Sequence, residues 1–336
     1  MRSARTECTE LVLRIGPETA GLRTDRALAQ MLPQLSRREI QKLCEQGCVM
    51  RRQRPLAKGA PLQAGDVITV LVRPMVAATA NPNLALDVRF ESRDWVVVAK
   101  PAGQPSAPRS STDLDTLANA LVARYPELAT VGHRALEPGL LHRLDNGTSG
   151  LLVAARHTAA FAAASQALKL GQWSKRYLAL VQGNDLPTSA TIRGRLVSDR
   201  HKPERVNVPD GVTITALEPS AYDAGDPIPL KEQALGAPHE TRFIRLGCEG
   251  EFTYVEVAVS AAFRHQIRAH FAALGWPLLN DTIYGANVEP SLAPLRHALH
   301  AARVAWVGSE PFPGFDVAEP VATDLAALLR VRGDSP

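Results

Sequence analysis

Residues His142–Gly150 read HRLDNGTSG, and no other stretch of the chain restricts its fold so narrowly. A single carboxylate, Asp145, stands behind His142 and Arg143 and ahead of Gly147, Thr148, Ser149 and Gly150. Glycine reaches backbone angles closed to other residues, so the segment can turn tightly and let a ligand approach its backbone. The run that follows, LLVAAR, reads as a strand. A carboxylate next to an obligate cation, here Arg143, is biased towards its charged form, which a nucleophile or a base requires. An Arg-Leu-Asp triplet alone is most simply an exposed polar loop with an incidental ion pair. The whole nonapeptide, taken with the segments below, argues otherwise.

A chain of 336 residues has material for two domains and a sizeable core. No apolar run approaches a membrane span, and the N-terminal MRSARTECTELVLRIG lacks the continuous apolar stretch of a secretory signal, so a cytoplasmic protein is expected. The cysteines, Cys8, Cys44, Cys48 and Cys248, form no disulfide framework. Cys44 and Cys48 read as sharing one helical face, and no second pair completes a zinc site, so reduced, partly buried thiols are expected and no metal.

Charge divides the chain. Residues 1–75 carry 13 Lys and Arg against 7 Asp and Glu, a balance of +6, whereas the remainder comes to −2. A small basic module on a near-neutral body suits a polyanion-binding appendage, although a solvated charged face carries the same balance. Within it, residues 11–15 read as a strand, Asp25–Leu32 and Ser36–Glu45 as helices, and Cys48–Arg51 and Val67–Val72 as strands around an Ala64-Gly65-Asp66 turn. Ser36 with Glu39 three residues on is a capping-box pattern. Residues 76–86 are irregular and rich in Ala and Asn, a linker. The second domain, 87–336, reads as strands 88–91 and Trp95–Ala99, helix Leu114–Tyr125, strand 151–156, helix His157–Lys169, strand Lys175–Val181, irregular chain over 183–240, strand Phe252–Ser260, helix Arg264–Leu274 and a closing helix Leu325–Val331. Strands in hairpin-like order predict an α+β fold with a mixed, largely antiparallel sheet.

Two resemblances follow from these segments. The order helix–helix–strand–turn–strand, with Arg37, Arg38 and Lys42 along one helix and Lys58 after it, resembles the small RNA-binding module called the S-four domain. That resemblance implies that these four side chains face phosphates, where each contact releases counterions. Over the rest of the chain, VAKPAG, HRLDNGTSGLLV, KRYLALVQG, RHQIRAHFAALG with DTIYG, and a late Leu299–Ala301 resemble, in order, the RluA family of RNA pseudouridine synthases.

The resemblance implies isomerisation of specific uridines in structured RNA, ribosomal RNA first and tRNA second, by an enzyme that needs no cofactor or metal. Asp145 would be the catalytic carboxylate, with Arg268 paired to it and Tyr177 stacked on the uracil. Arg143 would fill the space left by the flipped base, since a planar guanidinium stacks and hydrogen-bonds at once. His142, Thr148, Lys100, Lys175 and His265 would line the substrate. A monomer is expected.

The chain departs from the family pattern in two places. Ala262-Phe263-Arg264 stands where Gly-Arg-Thr is usual, so an arginine position holds Phe263 and the charge moves one place on. Leu279-Asn280-Asp281 replaces a usual Gly-Asp step, a milder change. Phe263 favours the competing reading, a non-catalytic RNA-binding or ribosome-assembly factor that retains the fold. A hydrolase using Asp145 with His142 is poorly supported, because no serine or cysteine nucleophile accompanies them.

Overall fold

Four consecutive apolar residues at Trp95–Val98 need burial on both faces of a strand, and this requirement sets the architecture around them. The computed structural model describes residues 9–331 apart from 33, 34, 36, 73–76, 111, 200–201, 218–237 and 260–261. The chain divides into two compact units, Met1–Ala77 with His133–Leu136, and Ala78–Gly132 with Glu137–Pro336.

In the first unit, strands β1 (Thr9–Arg14), β2 (Val49–Arg51), β3 (Arg54–Pro55) and β4 (Val67–Val72) form an antiparallel sheet in the order β1-β4-β2-β3. The alternation of VITVLV buries Ile68 and Val70 against Leu28 and Ile40 of the helices α1 (Thr24–Met31) and α2 (Arg37–Glu45). The expected cap Ser36 lies outside the described residues. Gly47, at φ 71, ends the second helix before Cys48, so Cys44 and Cys48 do not share a helical face as the spacing suggested. Cys44 is buried, which pushes its thiol up to about 11, while Cys48 lies just ahead of β2.

The second unit is built on one large sheet. Its strands are β5 (Asp87–Glu91), β6 (Trp95–Lys100), β7 (Ser149–Ala155), β8 (Trp173–Gln182), β9 (Ser189–Gly194), β12 (Val212–Ala216), β13 (His239–Glu249), β14 (Phe252–Val259), β15 (Leu299–Ser309) and β16 (Phe312–Ala318). A short separate ladder pairs β10 (Val197–Ser198) with β11 (Val206–Asn207). The order is β12-β9-β13-β14-β8-β15-β7-β6-β5, with β16 also on β15; every pairing is antiparallel except β15 with β7. This is the mixed, largely antiparallel sheet of an α+β fold. Val96 and Val98 pack with Leu121 of α3 (Leu117–Arg124) and Phe271 of α5 (Gln266–Ala273). Trp95 and Val97 pack on the other side with Ala160 and Ala164 of α4 (Thr158–Lys169) and with Trp173, Trp306 and Phe315. The closing helix, α6 (Thr323–Val331), buries Leu325 and Leu328 against Leu180 and Leu279.

The largest departure from the sequence expectation is in 183–240, which is not simply irregular: its described residues contain four strands and the start of a fifth. β9 is flanked by polar and glycine-bearing chain, and it is a strand because β12 and β13 pair with it, a non-local cause. The β15–β16 hairpin was likewise visible only as Leu299–Ala301. α3 starts at Leu117, three residues later than read, because the Asn119 side chain accepts the Thr116 backbone N–H and closes the N-terminus there.

Candidate active site

The nonapeptide becomes a turn followed by the start of β7. The Thr148 N–H donates to the Asp145 carbonyl at 3.0 Å, which closes the turn. Two glycines are required by space. A Cβ on Gly147 would lie 2.0 Å from the Leu295 carbonyl oxygen, and one on Gly150, itself at φ 109, would lie 2.2 Å from that of Ala301. These close approaches allow the parallel join of β7 to β15 at Ser149 and Gly150.

Asp145 is held from the far side of the sequence. Arg268, on the first turn of α5, donates from Nη1 to Asp145 Oδ2 at 2.8 Å, and from Nε and Nη2 to the two oxygens of Asp281 at 2.6 and 2.8 Å. A guanidinium at a helix N-terminus opposes the helix dipole, and two carboxylates offset that. The helix begins there because the Gln266 side chain accepts the Phe263 N–H, while its amide donates to the Glu240 carbonyl on β13. Arg268 is 4% exposed and Asp145 25%, so the pair is anchored on one side and open on the other. Burial acts to raise the Asp145 carboxyl, but His265, cationic only at acid pH, and Arg268 with its charge and hydrogen bond outweigh it and hold it below 3.8.

Four other expected residues, Tyr177, His265, Thr148 and Lys100, gather here with different jobs, while Lys175 acts on His142 instead. Tyr177, on β8, is buried, and burial together with the Asp145 charge pushes its phenol upward. His265 Nε2 lies 3.6 Å from Asp145 Oδ1. Thr148 shares a 2.8 Å hydrogen bond with His297 Nε2. Lys100 Nζ donates to the carbonyls of Pro101, Gln104 and Asn146, knitting the KPAG turn to the nonapeptide; burial and the nearby Arg296 push it down to about 7. Lys175 is buried and pushed down to about 8.

Two residues adjoining Asp145 in sequence turn elsewhere. Arg143 is 54% exposed and pairs with Glu137 at 2.9 Å, so the cation that holds Asp145 is Arg268 and not its neighbour. His142 Nε2 accepts the Val153 N–H at 3.2 Å, its ring is edge-on to Trp173, and burial pushes it down to about 3. Those contacts serve packing. Phe263 packs with Leu196, Val206 and Tyr284 and beside the His239 ring, whereas Arg264 donates to the Pro203 carbonyl. The one-place shift of the arginine thus parts the two side chains. Asn280 occupies φ 63, a conformation asparagine tolerates where glycine is usual.

In the first unit, Arg37 binds the buried Asp25 at 2.9 Å and Lys58 binds Glu45 at 2.7 Å, while Arg38 and Lys42 are exposed on α2.

Three partners escaped the sequence reading. In the sequence, Asp281 stands out only as part of an altered step, and Tyr284 only within DTIYG. The third, Arg296, is buried and donates to the carbonyls of Gly147, His297 and Leu299, to Ser149 Oγ, and to Asp324. Its fixed fork of donors ties the Asp145 turn to β15 and α6. The signal was its place just ahead of Leu299–Ala301. Among the described residues, no group of three or more His, Cys, Asp or Glu side chains is arranged to hold a metal ion. The arrangement presents an ionised carboxylate, one oxygen clamped and one edge open beside a tyrosine, suited to a nucleophile or base.

A family model described as RNA pseudouridylate synthase matches residues 94–273. The chain is 34% identical over 330 residues to an uncharacterized RNA pseudouridine synthase of Chloroflexus aurantiacus, covering 98% of this chain and 95% of that protein. It is 30% identical to the ribosomal large subunit pseudouridine synthase D of Xylella fastidiosa, covering 94% and 91%. The fold matches human RNA pseudouridylate synthase domain containing 4, with a TM-score of 0.53 at 18% identity over 73% of this chain and 92% of that one. From a sheet that carries the open carboxylate, and from relatives aligned over nearly the whole chain, one conclusion follows: the protein belongs to the RluA-type RNA pseudouridylate synthases, enzymes that isomerise uridine in RNA.

Proposed function

We propose that this enzyme converts specific uridines of structured ribosomal RNA, that of the large subunit first and tRNA second, to pseudouridine, with Asp145 as its catalytic carboxylate and without cofactor or metal. The observation that carries the proposal is the clamp on Asp145: Arg268 keeps it ionised while a quarter of the side chain stays open. The reaction breaks the bond from ribose to a ring nitrogen and remakes it to a ring carbon with no change of oxidation state, so a carboxylate acting on ribose or uracil suffices. Tyr177 supplies a ring for the uracil to stack on, and its raised phenol stays protonated at neutral pH. Arg143, exposed beside the carboxylate turn, takes the vacated place in the RNA stack, giving up its bond to Glu137. Arg38 and Lys42 meet phosphates from an S-four-type module spanning 1–75, joined by a linker over 76–86 to the catalytic domain of 87–336. The name of the Xylella fastidiosa relative supports the large-subunit assignment.

The test incubates purified protein, or its Asp145→Asn variant, with RNA from a strain lacking the gene, then maps pseudouridine by carbodiimide modification. Gain of discrete sites in large-subunit RNA with the native protein alone is expected. No gained site would overturn the substrate assignment, and an active Asp145→Asn variant would overturn the role of Asp145.

A further inference from the structure

The DTIYG segment reaches the candidate site twice. Asp281 binds Arg268, and three residues later Tyr284 reaches His265: its hydroxyl lies 3.1 Å from His265 Nδ1, and its ring lies against the Arg268 guanidinium, 5.1 Å from Cζ. His265 stands just ahead of α5 at φ 55, a costly conformation for a residue other than glycine, with a side chain 8% exposed. Its environment keeps the ring neutral near pH 7: burial, then Arg268 and Arg264, disfavour the cation more than Asp145 favours it, which brings the imidazole down to about 4. His297, the other imidazole facing this cluster, is pushed down well below 6.5.

A neutral imidazole has one N–H, and its two nitrogens face different groups here. Were Nδ1 to carry the proton, it would donate to Tyr284, and Nε2 would present its lone pair to the Asp145 carboxylate across 3.6 Å of poorly hydrated space. Were Nε2 to carry it, the N–H dipole would face the carboxylate, and Nδ1 would need a donor. Tyr284 is that donor. Its oxygen already accepts the Val206 N–H at 2.9 Å, and its proton has two acceptors, His265 Nδ1 at 3.1 Å and the Val206 carbonyl at 3.3 Å. Which nitrogen is protonated is set by the bond the other one makes.

We infer that Tyr284 holds His265 as the Nε2–H tautomer, making His265 a positioning residue that orients the Asp145 oxygen not bound by Arg268. The kinetic part of this inference rests on the catalytic role proposed for Asp145; the tautomer does not. Arg268 thus clamps one carboxylate oxygen while the His265 N–H dipole faces the other across 3.6 Å, leaving the exposed quarter of the side chain open. The inference also ties Val206, which lies in the stretch 183–240, to the site through Tyr284.

The test uses full-length protein labelled with ¹⁵N-histidine, with the His265 signals assigned by their loss in His265→Gln. Long-range ¹H–¹⁵N spectra of the native protein at pH 7 should show protonated Nε2 and unprotonated Nδ1. Tyr284→Phe keeps the ring on Arg268 and should move His265 towards the other tautomer, lowering the single-turnover rate about fivefold to tenfold with KM unchanged, the effect of one hydrogen bond. His265→Gln, which can still offer an N–H, should retain more activity than His265→Ala. An Nδ1–H tautomer in the native protein overturns the inference, as does folded Tyr284→Phe with a native rate. If Tyr284→Phe does not fold, the native spectrum still decides. If Asp145→Asn proves active while the Nε2–H tautomer is found, the failure lies with the catalytic role of Asp145 and not with the tautomer.

Discussion

Replacing Arg268 by lysine separates charge from geometry at the point where the site is most tightly built. Arg268 makes three short charge-assisted bonds, two to Asp281 and one to Asp145. A lysine keeps the positive charge but offers one compact ammonium in place of a planar fork, so it cannot span both carboxylates in the same way. Each charge-assisted bond contributes about 1.5–3 kcal/mol. If the ammonium remains with Asp281, which is buried more deeply, the Asp145 bond is lost, and with it about 10- to 150-fold in single-turnover rate. Losing one of the two Asp281 bonds costs about 2 kcal/mol of stability in addition, short of the roughly 3–5 kcal/mol expected when a buried partner is removed outright. The pH dependence gives a second readout. Asp145 is held below 3.8 in the folded protein, so its ionised form contributes stability above about pH 4, and that contribution is lost as pH falls through the folded value. Weakening the Arg268 contact raises that value, so the acidic limb of both stability and rate should move to higher pH. Single-turnover tritium release from C5-labelled RNA across pH, with urea melts in parallel, measures all three quantities. A native rate with an unmoved acidic limb in Arg268→Lys would refute the reasoning that the fork holds Asp145.

Further outcomes are expected elsewhere. Lys100 and Lys175 are pushed down to about 7 and 8, so between pH 7 and about 10 the unfolded chain binds more protons than the folded one; urea-melt stability should rise with pH there, less steeply in Lys175→Met. Gly150→Ala places a methyl 2.2 Å from the Ala301 carbonyl oxygen at φ 109, and should cost about 3 kcal/mol or more in chemical denaturation; a neutral result would mean the join of β7 to β15 yields easily. Arg38→Ala with Lys42→Ala changes exposed positions on α2, so the melting temperature should hold while the slope of log affinity for RNA against log salt flattens by roughly one to two units. An unchanged slope would remove these two side chains from the RNA interface.

Much of the fold was legible wherever pattern and partner were local. VITVLV alternates and is a half-buried strand; WVVV does not alternate and is buried on both faces. β9 and the β15–β16 hairpin were missed, because their short, polar or glycine-broken segments become strands only through neighbours distant in sequence. At the site, Asp145 and Arg268 were legible from motif resemblance. Asp281, Tyr284 and Arg296 had no readable role, since each acts by reaching a residue between 13 and 149 positions away.

The sequence by itself determined the chemistry on offer: one carboxylate on a glycine-bearing turn, a tyrosine on a strand, an arginine in a helix, and a basic module ahead of them. Resemblance named Arg268 as the partner of Asp145; only the tertiary structure decided that Asp281 shares that fork and that Arg143 does not join it. Adjacency in the chain put Arg143 beside Asp145, yet the turn sends Arg143 out to Glu137 and leaves the carboxylate to Arg268, 123 positions on. The reason is directional. Here the turn leads Arg143 to Glu137, whereas a sheet joined at Gly150 and a helix started by Gln266 aim two distant side chains at one point.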